Sequence, residues 1–137
     1  MNDKSCEYGV GDNSYIMAGE LSGITQLVDD FYKHMNALSE CKKIREMHSN
    51  DLTESRKKLS YFLSGWLGGP KLYAEYYGKI NIPFAHKHLR IGKAESDAWL
   101  FCMQKAVDMQ NYEEAFKDYL MKQIRVPAER ILMVSNV

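Results

Sequence analysis

The 137-residue chain predicts an all-α domain. Two observations carry that expectation. Apolar residues recur at helical spacing in four separate stretches, and no stretch sustains the alternation of a strand. Glycine and proline gather between those stretches, above all at Gly68, Gly69 and Pro70 and again at Gly92. Four amphipathic helices of this length pack around one core. A chain of 137 residues that is 45% apolar is long enough to bury it. Residues 1–137 therefore read as one domain, with loose tails expected over 1–13 and 130–137.

The first stripe is Ile24, Leu27, Val28, Phe31, Met35 and Leu38, the i, i+3, i+4, i+7 pattern of one helical face. The second is Leu59, Phe62, Leu63 and Trp66. Asp51 with Glu54 reads as a capping box opening it. Gly68-Gly69-Pro70 closes it, because glycine accepts positive φ and proline has no N–H to continue the ladder. The third stripe is Trp99, Cys102, Met103, Ala106 and Val107. The fourth is Phe116, Tyr119, Leu120 and Ile124, with Asn111 and Glu114 as a second candidate capping box. Each of the three prolines, at 70, 83 and 127, is expected at an element boundary.

Composition excludes several classes. There are 18 basic and 18 acidic residues and no long block of one sign, so there is no electrostatic footprint for nucleic acid or an anionic membrane. No run approaches the roughly 20 apolar residues of a membrane-spanning helix. The N-terminal residues lack the apolar core of a signal peptide, and the expected location is cytoplasmic. Cys6, Cys41 and Cys102 are odd in number and form no metal motif. Cys102 reads as a small core residue, while Cys6 lies in a polar, reactive setting. The stretch 67–92 is rich in Gly, Pro, Tyr and His and weakly periodic, which in a small domain points to function.

Two segments carry a resemblance. One is FLSGWLGGPKLY over residues 62–73; the other is HKHLRIGKAESDAWLFCM over 86–103. Together they resemble the group II truncated haemoglobins across roughly residues 20 to 125. That resemblance implies a two-over-two helical sandwich around non-covalent haem b. No Cys-x-x-Cys-His is present to attach haem covalently. It implies that His86 ligates the iron. It implies that Tyr32, His48 and Trp99 donate hydrogen bonds to a gas on the opposite face. It places Ser55, Leu59, Phe62, Leu63, Leu89, Ile91 and Met103 around the cofactor. Read without the resemblance, His86 is equally a surface histidine beside Lys87. Trp99 is then a core aromatic, Tyr32 a core-edge tyrosine, His48 a loop histidine and Ser55 an exposed helix residue. His34 is expected to be solvated.

The chain departs from the family just before His86. Relatives often place arginines there toward the haem propionates; here stand Pro83, Phe84 and Ala85. Pro83 is suited to the first position of a proximal helix. Propionate partners are sought among Tyr77, Lys79, Lys87, His88 and Arg90. The implied ligands are oxygen, nitric oxide and carbon monoxide. Three distal hydrogen bonds, at about 1 kcal/mol each, would slow oxygen release by about a hundredfold. Slow release favours oxygen and nitric oxide chemistry, or peroxidase-like turnover, over bulk oxygen transport. No flavin or nicotinamide motif occurs in the chain, so an external reductase is implied. The rival readings are a gas sensor acting through a partner and a cofactor-free helical interaction module. Tyr32 is also expected to ligate ferric iron as pH rises.

Overall fold

The four stripes become the four long helices of a computed structural model that describes residues 8–78 and 92–135, with side chains described through 130. In chain order the elements are α1 (Asn13–Met17), α2 (Glu20–Ala37), a 3-10 turn (Ser39–Cys41), α3 (Lys42–Glu46), α4 (Thr53–Trp66), α5 (Leu72–Tyr77), α6 (Lys93–Met109) and α7 (Glu114–Ser135). No strand occurs among the described residues. α2 packs against both α4 and α6, and α6 packs against α7. One helix pair, α2 with α4, thus lies over a second, α6 with α7.

The apolar stripes meet in one core. Ile24, Leu27, Val28 and Phe31 of α2, Cys102, Met103, Ala106 and Val107 of α6, and Phe116 and Leu120 of α7 are fully buried. Each large side chain so buried contributes on the order of 1.5–3 kcal/mol. Cys102 is the small core residue its stripe predicts. Its thiol donates to the Phe31 carbonyl at 3.1 Å, tying α6 to α2.

The boundaries are partly as expected. α4 ends at the Gly68-Gly69-Pro70 turn, where Gly68 has φ +89°. The Gly69 N–H donates to the Ser64 carbonyl at 2.8 Å, and the Ser64 hydroxyl donates to the Pro70 carbonyl at 2.7 Å. The capping box at Asp51 is half formed. Asp51 Oδ1 accepts the Thr53 N–H at 2.9 Å, but no bond from Glu54 completes the box. At the fourth helix Glu114 pairs with Lys117 at 3.5 Å, and no capping bond from Asn111 occurs. A cap absent from the sequence expectations opens α6: Glu95 Oε1 accepts the Gly92 N–H at 2.7 Å.

Two expectations are corrected. Pro127 does not bound an element; it lies inside α7. The tails are also shorter than expected. Tyr8 packs on Phe116 and Tyr119 at ring-centroid distances of 5.4 and 4.9 Å, and the Gly9 N–H donates to the buried Ser14 hydroxyl at 2.8 Å. At the other end α7 continues to Ser135. The short elements α1, α3, α5 and the 3-10 turn, of three to six residues, escaped the periodicity argument because they are too short to show a stripe.

Candidate functional site

Tyr32 is held in the second half of α2, with 4% of its surface exposed. Next to it, Phe31 touches both Tyr32 and Trp99, at centroid distances of 4.9 and 5.0 Å. His48 meets the Tyr32 ring edge-on at 5.8 Å. The fold therefore brings together the three expected distal residues from α2, α6 and the turn after α3. Neither the Tyr32 hydroxyl nor the Trp99 indole N–H has a hydrogen-bond partner among the described residues. Neither atom is fully enclosed, so each can take a partner from outside the chain.

His48 differs from the donor role expected of it. Its Nδ1 lies 2.7 Å from the Ile44 carbonyl. A carbonyl only accepts, so Nδ1 carries the proton, and in the neutral ring Nε2 is an acceptor. His48 is then a donor at both nitrogens only when charged. Burial, the largest influence, pushes the Tyr32 phenol well above the ordinary tyrosine value, with the Arg56 guanidinium acting in the opposite direction. That opposes the ionised Tyr32 on which ferric ligation at high pH depends.

The α4 residues face the same region. Ser55, Leu59 and Phe62 are half-buried, and Leu63 is buried. Met103, one turn beyond Trp99, is fully buried. His86, Leu89 and Ile91 lie outside the described residues, as do Pro83, Lys79, Lys87, His88 and Arg90. Tyr77, weighed above as a propionate partner, is turned elsewhere. The nearby Glu54 carboxylate pushes its pKa up to about 12, and its ring lies 5.0 Å from Tyr73. His34 is half-buried rather than solvated, with a ring nitrogen against the Met109 thioether.

Two residues that bear on the site escaped the sequence argument. Arg56 reads as part of an exposed Arg-Lys-Lys run, yet it points at α2, its Nε 3.8 Å from Asp29 Oδ1. Glu95 reads as a surface acid, yet its side chain is only 11% exposed and lies 3.1 Å from the Lys43 ammonium. A Gly-x-x-Glu spacing was the available signal for Glu95, since any N-cap backbone can donate to a glutamate three residues on.

A haem-sized group fits these observations. Leu59, Phe62 and Trp99 stand on inward stripes but stay only half-buried, which leaves apolar faces for a flat apolar ligand to cover. The two unpaired donors, Tyr32 and Trp99, suit a small electronegative ligand beside it.

A small all-α fold of two helix pairs, with this aromatic and donor set between them, defines a globin-type haem protein. The chain belongs to the bacterial-like globin family, whose model matches residues 14–132. Within that family it is a group II truncated haemoglobin. It is 33% identical over 109 residues, 80% of each chain, to the group 2 truncated hemoglobin YjbI of Bacillus subtilis (strain 168). Among solved structures it is similar to the cold-adapted truncated hemoglobin of Pseudoalteromonas haloplanktis TAC125. That match has a TM-score of 0.83 and 27% identity, covering 87% of this chain and 96% of that one. The group II 2-on-2 hemoglobin of Agrobacterium tumefaciens matches at TM-score 0.82 and 30% identity, over 86% and 92% of the two chains. As a family member the protein binds haem b non-covalently and, through its iron, small gases. The cofactor-free reading is thereby set aside. No helix among the described residues is long and apolar enough to cross a membrane.

Proposed function

We propose that Tyr32 and Trp99 are the hydrogen-bond donors of the gas-facing side, that His86 is the proximal iron ligand, and that the protein serves oxygen and nitric oxide chemistry rather than bulk oxygen transport. The observation that carries this reading is the pair of sheltered donors without partners among the described residues, linked through Phe31. When bound, haem supplies a reversible site for diatomic gases and a redox centre. The chain's own part is to orient, to donate and to exclude water. Tyr32 is held by α2 and by the ring edges of Phe31 and His48, so its hydroxyl needs little ordering when a ligand arrives. His48 serves as a wall, its Nδ1 engaged by the Ile44 carbonyl.

Two well-placed donors retain a polar ligand, and retention favours reaction over release. One solved relative, from Bacillus subtilis, is described as an oxygen-avid haemoglobin; it is 32% identical to this chain, with a TM-score of 0.77 over 87% of this chain and 98% of that one. Reduction of the ferric state then falls to an external reductase, and such chemistry places the protein in the cytoplasm. Peroxidase-like turnover is the further activity compatible with the same pocket.

The test mixes oxygen-loaded protein with nitric oxide and measures nitrate. Near-stoichiometric nitrate with fast formation of ferric protein is the expected result. Fast oxygen release in the wild type, unaltered by Tyr32→Phe with Trp99→Phe, would remove the basis for this reading. Loss of haem from His86→Gly, with recovery by imidazole, checks the proximal assignment.

A further inference from the structure

Arg56 lies on α4 directly after Ser55, and its side chain reaches across to α2. Its partner there, Asp29, stands one helical turn before Tyr32. The contact is loose, with Nε 3.8 Å from Asp29 Oδ1, beyond hydrogen-bond distance. The Nε itself is shielded from solvent and has no hydrogen-bond partner. Both side chains are about half exposed, Arg56 at 43% and Asp29 at 52%, so water screens both members of the pair and only the Nε edge of the guanidinium is enclosed. Asp51 also feels this guanidinium, but it is exposed and already accepts the Thr53 N–H. The neighbouring lysines face away. The Lys57 ammonium stands 5.7 Å from the Tyr61 and Tyr76 rings, and that of Lys58 5.4 Å from the Tyr77 ring. One incompletely neutralised positive charge is thus left on the α2–α4 seam. On its inner side is the buried Tyr32.

We infer that Arg56 makes the distal side selective for small anions, such as nitrite and azide, over neutral ligands of similar size. This rests on the reading of Tyr32 as a gas-facing residue. A charge acts through the poorly polarisable interior with less screening than through solvent. The enclosed Nε edge of the guanidinium lies on the α2–α4 seam close enough to act on Tyr32, while its outer edge and Asp29 both meet water. The same field acts on the Tyr32 phenol, where Arg56 favours the ionised form against burial. A neutral ligand such as carbon monoxide or imidazole does not gain from it to first order.

The experiment measures azide and nitrite dissociation constants on the ferric holoprotein, with imidazole on the ferric and carbon monoxide on the ferrous protein as neutral probes. Arg56→Gln is expected to weaken azide and nitrite by roughly three- to tenfold and leave both neutral probes within about twofold. Arg56→Lys keeps the charge and restores most of the affinity. Asp29→Asn removes the screening partner and should move azide affinity the other way, upward. A purely structural Arg56–Asp29 pair would shift both variants in the same direction, and that outcome overturns the inference. Equal loss of anionic and neutral ligands overturns it too. If Tyr32→Phe is silent toward every ligand as well, the distal reading has failed rather than the role of Arg56 alone.

Discussion

The indole N–H of Trp66 donates to the main-chain carbonyl of Gln123, 57 residues away, at 3.2 Å. Gln123 stands four residues before Pro127, which lies inside α7 and has no N–H to give it. The carbonyl that proline orphans is therefore satisfied from α4. This pair explains how a proline persists within a 22-residue helix. It also joins the end of α4 to α7 beside the glycine turn.

Trp66→Phe keeps an aromatic ring and removes that donor. The expected cost is about 1–2 kcal/mol, since the acceptor is left without its partner. In a Pro127→Ala background the helix supplies its own N–H, and the same substitution should cost markedly less. A coupling near zero in the double-mutant cycle, read by urea denaturation, would show that Trp66 acts by packing alone.

At Gly68 an added Cβ would lie 2.1 Å from the Gly11 carbonyl oxygen, and the backbone φ of +89° is itself unfavourable to other residues. Neither strain can be relieved by a side-chain rotation. Gly68→Ala is expected to lower stability by about 2–4 kcal/mol. Gly65→Ala, where the nearest atom is 3.5 Å from the built Cβ, is the tolerant control. Equal midpoints for the two variants would refute the close approach.

Glu95 is held below the usual glutamate pKa first by the Gly92 N–H and then by Lys43. A depressed pKa stabilises the fold above the unfolded value and loses that contribution as pH falls through the folded one. Glu95→Gln should therefore cost about 1 kcal/mol at neutral pH. The gap from wild type should close as pH falls below about 4. A gap independent of pH would mean that the charge of Glu95 is irrelevant and only its shape matters.

Trp99→Phe removes one of the two sheltered donors. Oxygen dissociation should accelerate by about fivefold to a hundredfold, matching roughly 1–3 kcal/mol. His48→Phe should change it by less than about twofold at neutral pH, because the Nδ1 proton of His48 is already given to Ile44. Stopped-flow traces in which His48→Phe has the larger effect would reverse the assignment of donors.

The long helices were legible because a buried face repeats every three to four residues, and α2, α4, α6 and α7 each repeat it several times. The clustering of Tyr32, His48 and Trp99 was legible only through a resemblance to one family's pocket; periodicity alone would make Trp99 a core residue. Pro127 misled because the rule against helical proline is local, whereas its remedy, Trp66, comes from another helix. Arg56 was hidden for a related reason. In sequence it belongs to a charged run, and only the packing of α4 on α2 encloses its Nε and brings it toward Asp29. Glu54 was assigned to a local cap, but it makes no capping bond and acts on the Tyr77 hydroxyl of α5 instead.

The thiol of Cys102 donates to the carbonyl of Phe31, and each of these residues adjoins a proposed donor: Cys102 lies one turn beyond Trp99, and Phe31 immediately precedes Tyr32. The link fixes the separation of the two donors before any ligand arrives. Ordering them is part of folding, so a ligand whose shape matches that spacing binds a preorganised pair. A ligand of another length or bend must instead move two packed helices to reach both. The spacing of two helices, set by a sulfur that never touches the gas, thereby becomes a ruler against which diatomic and triatomic ligands are measured.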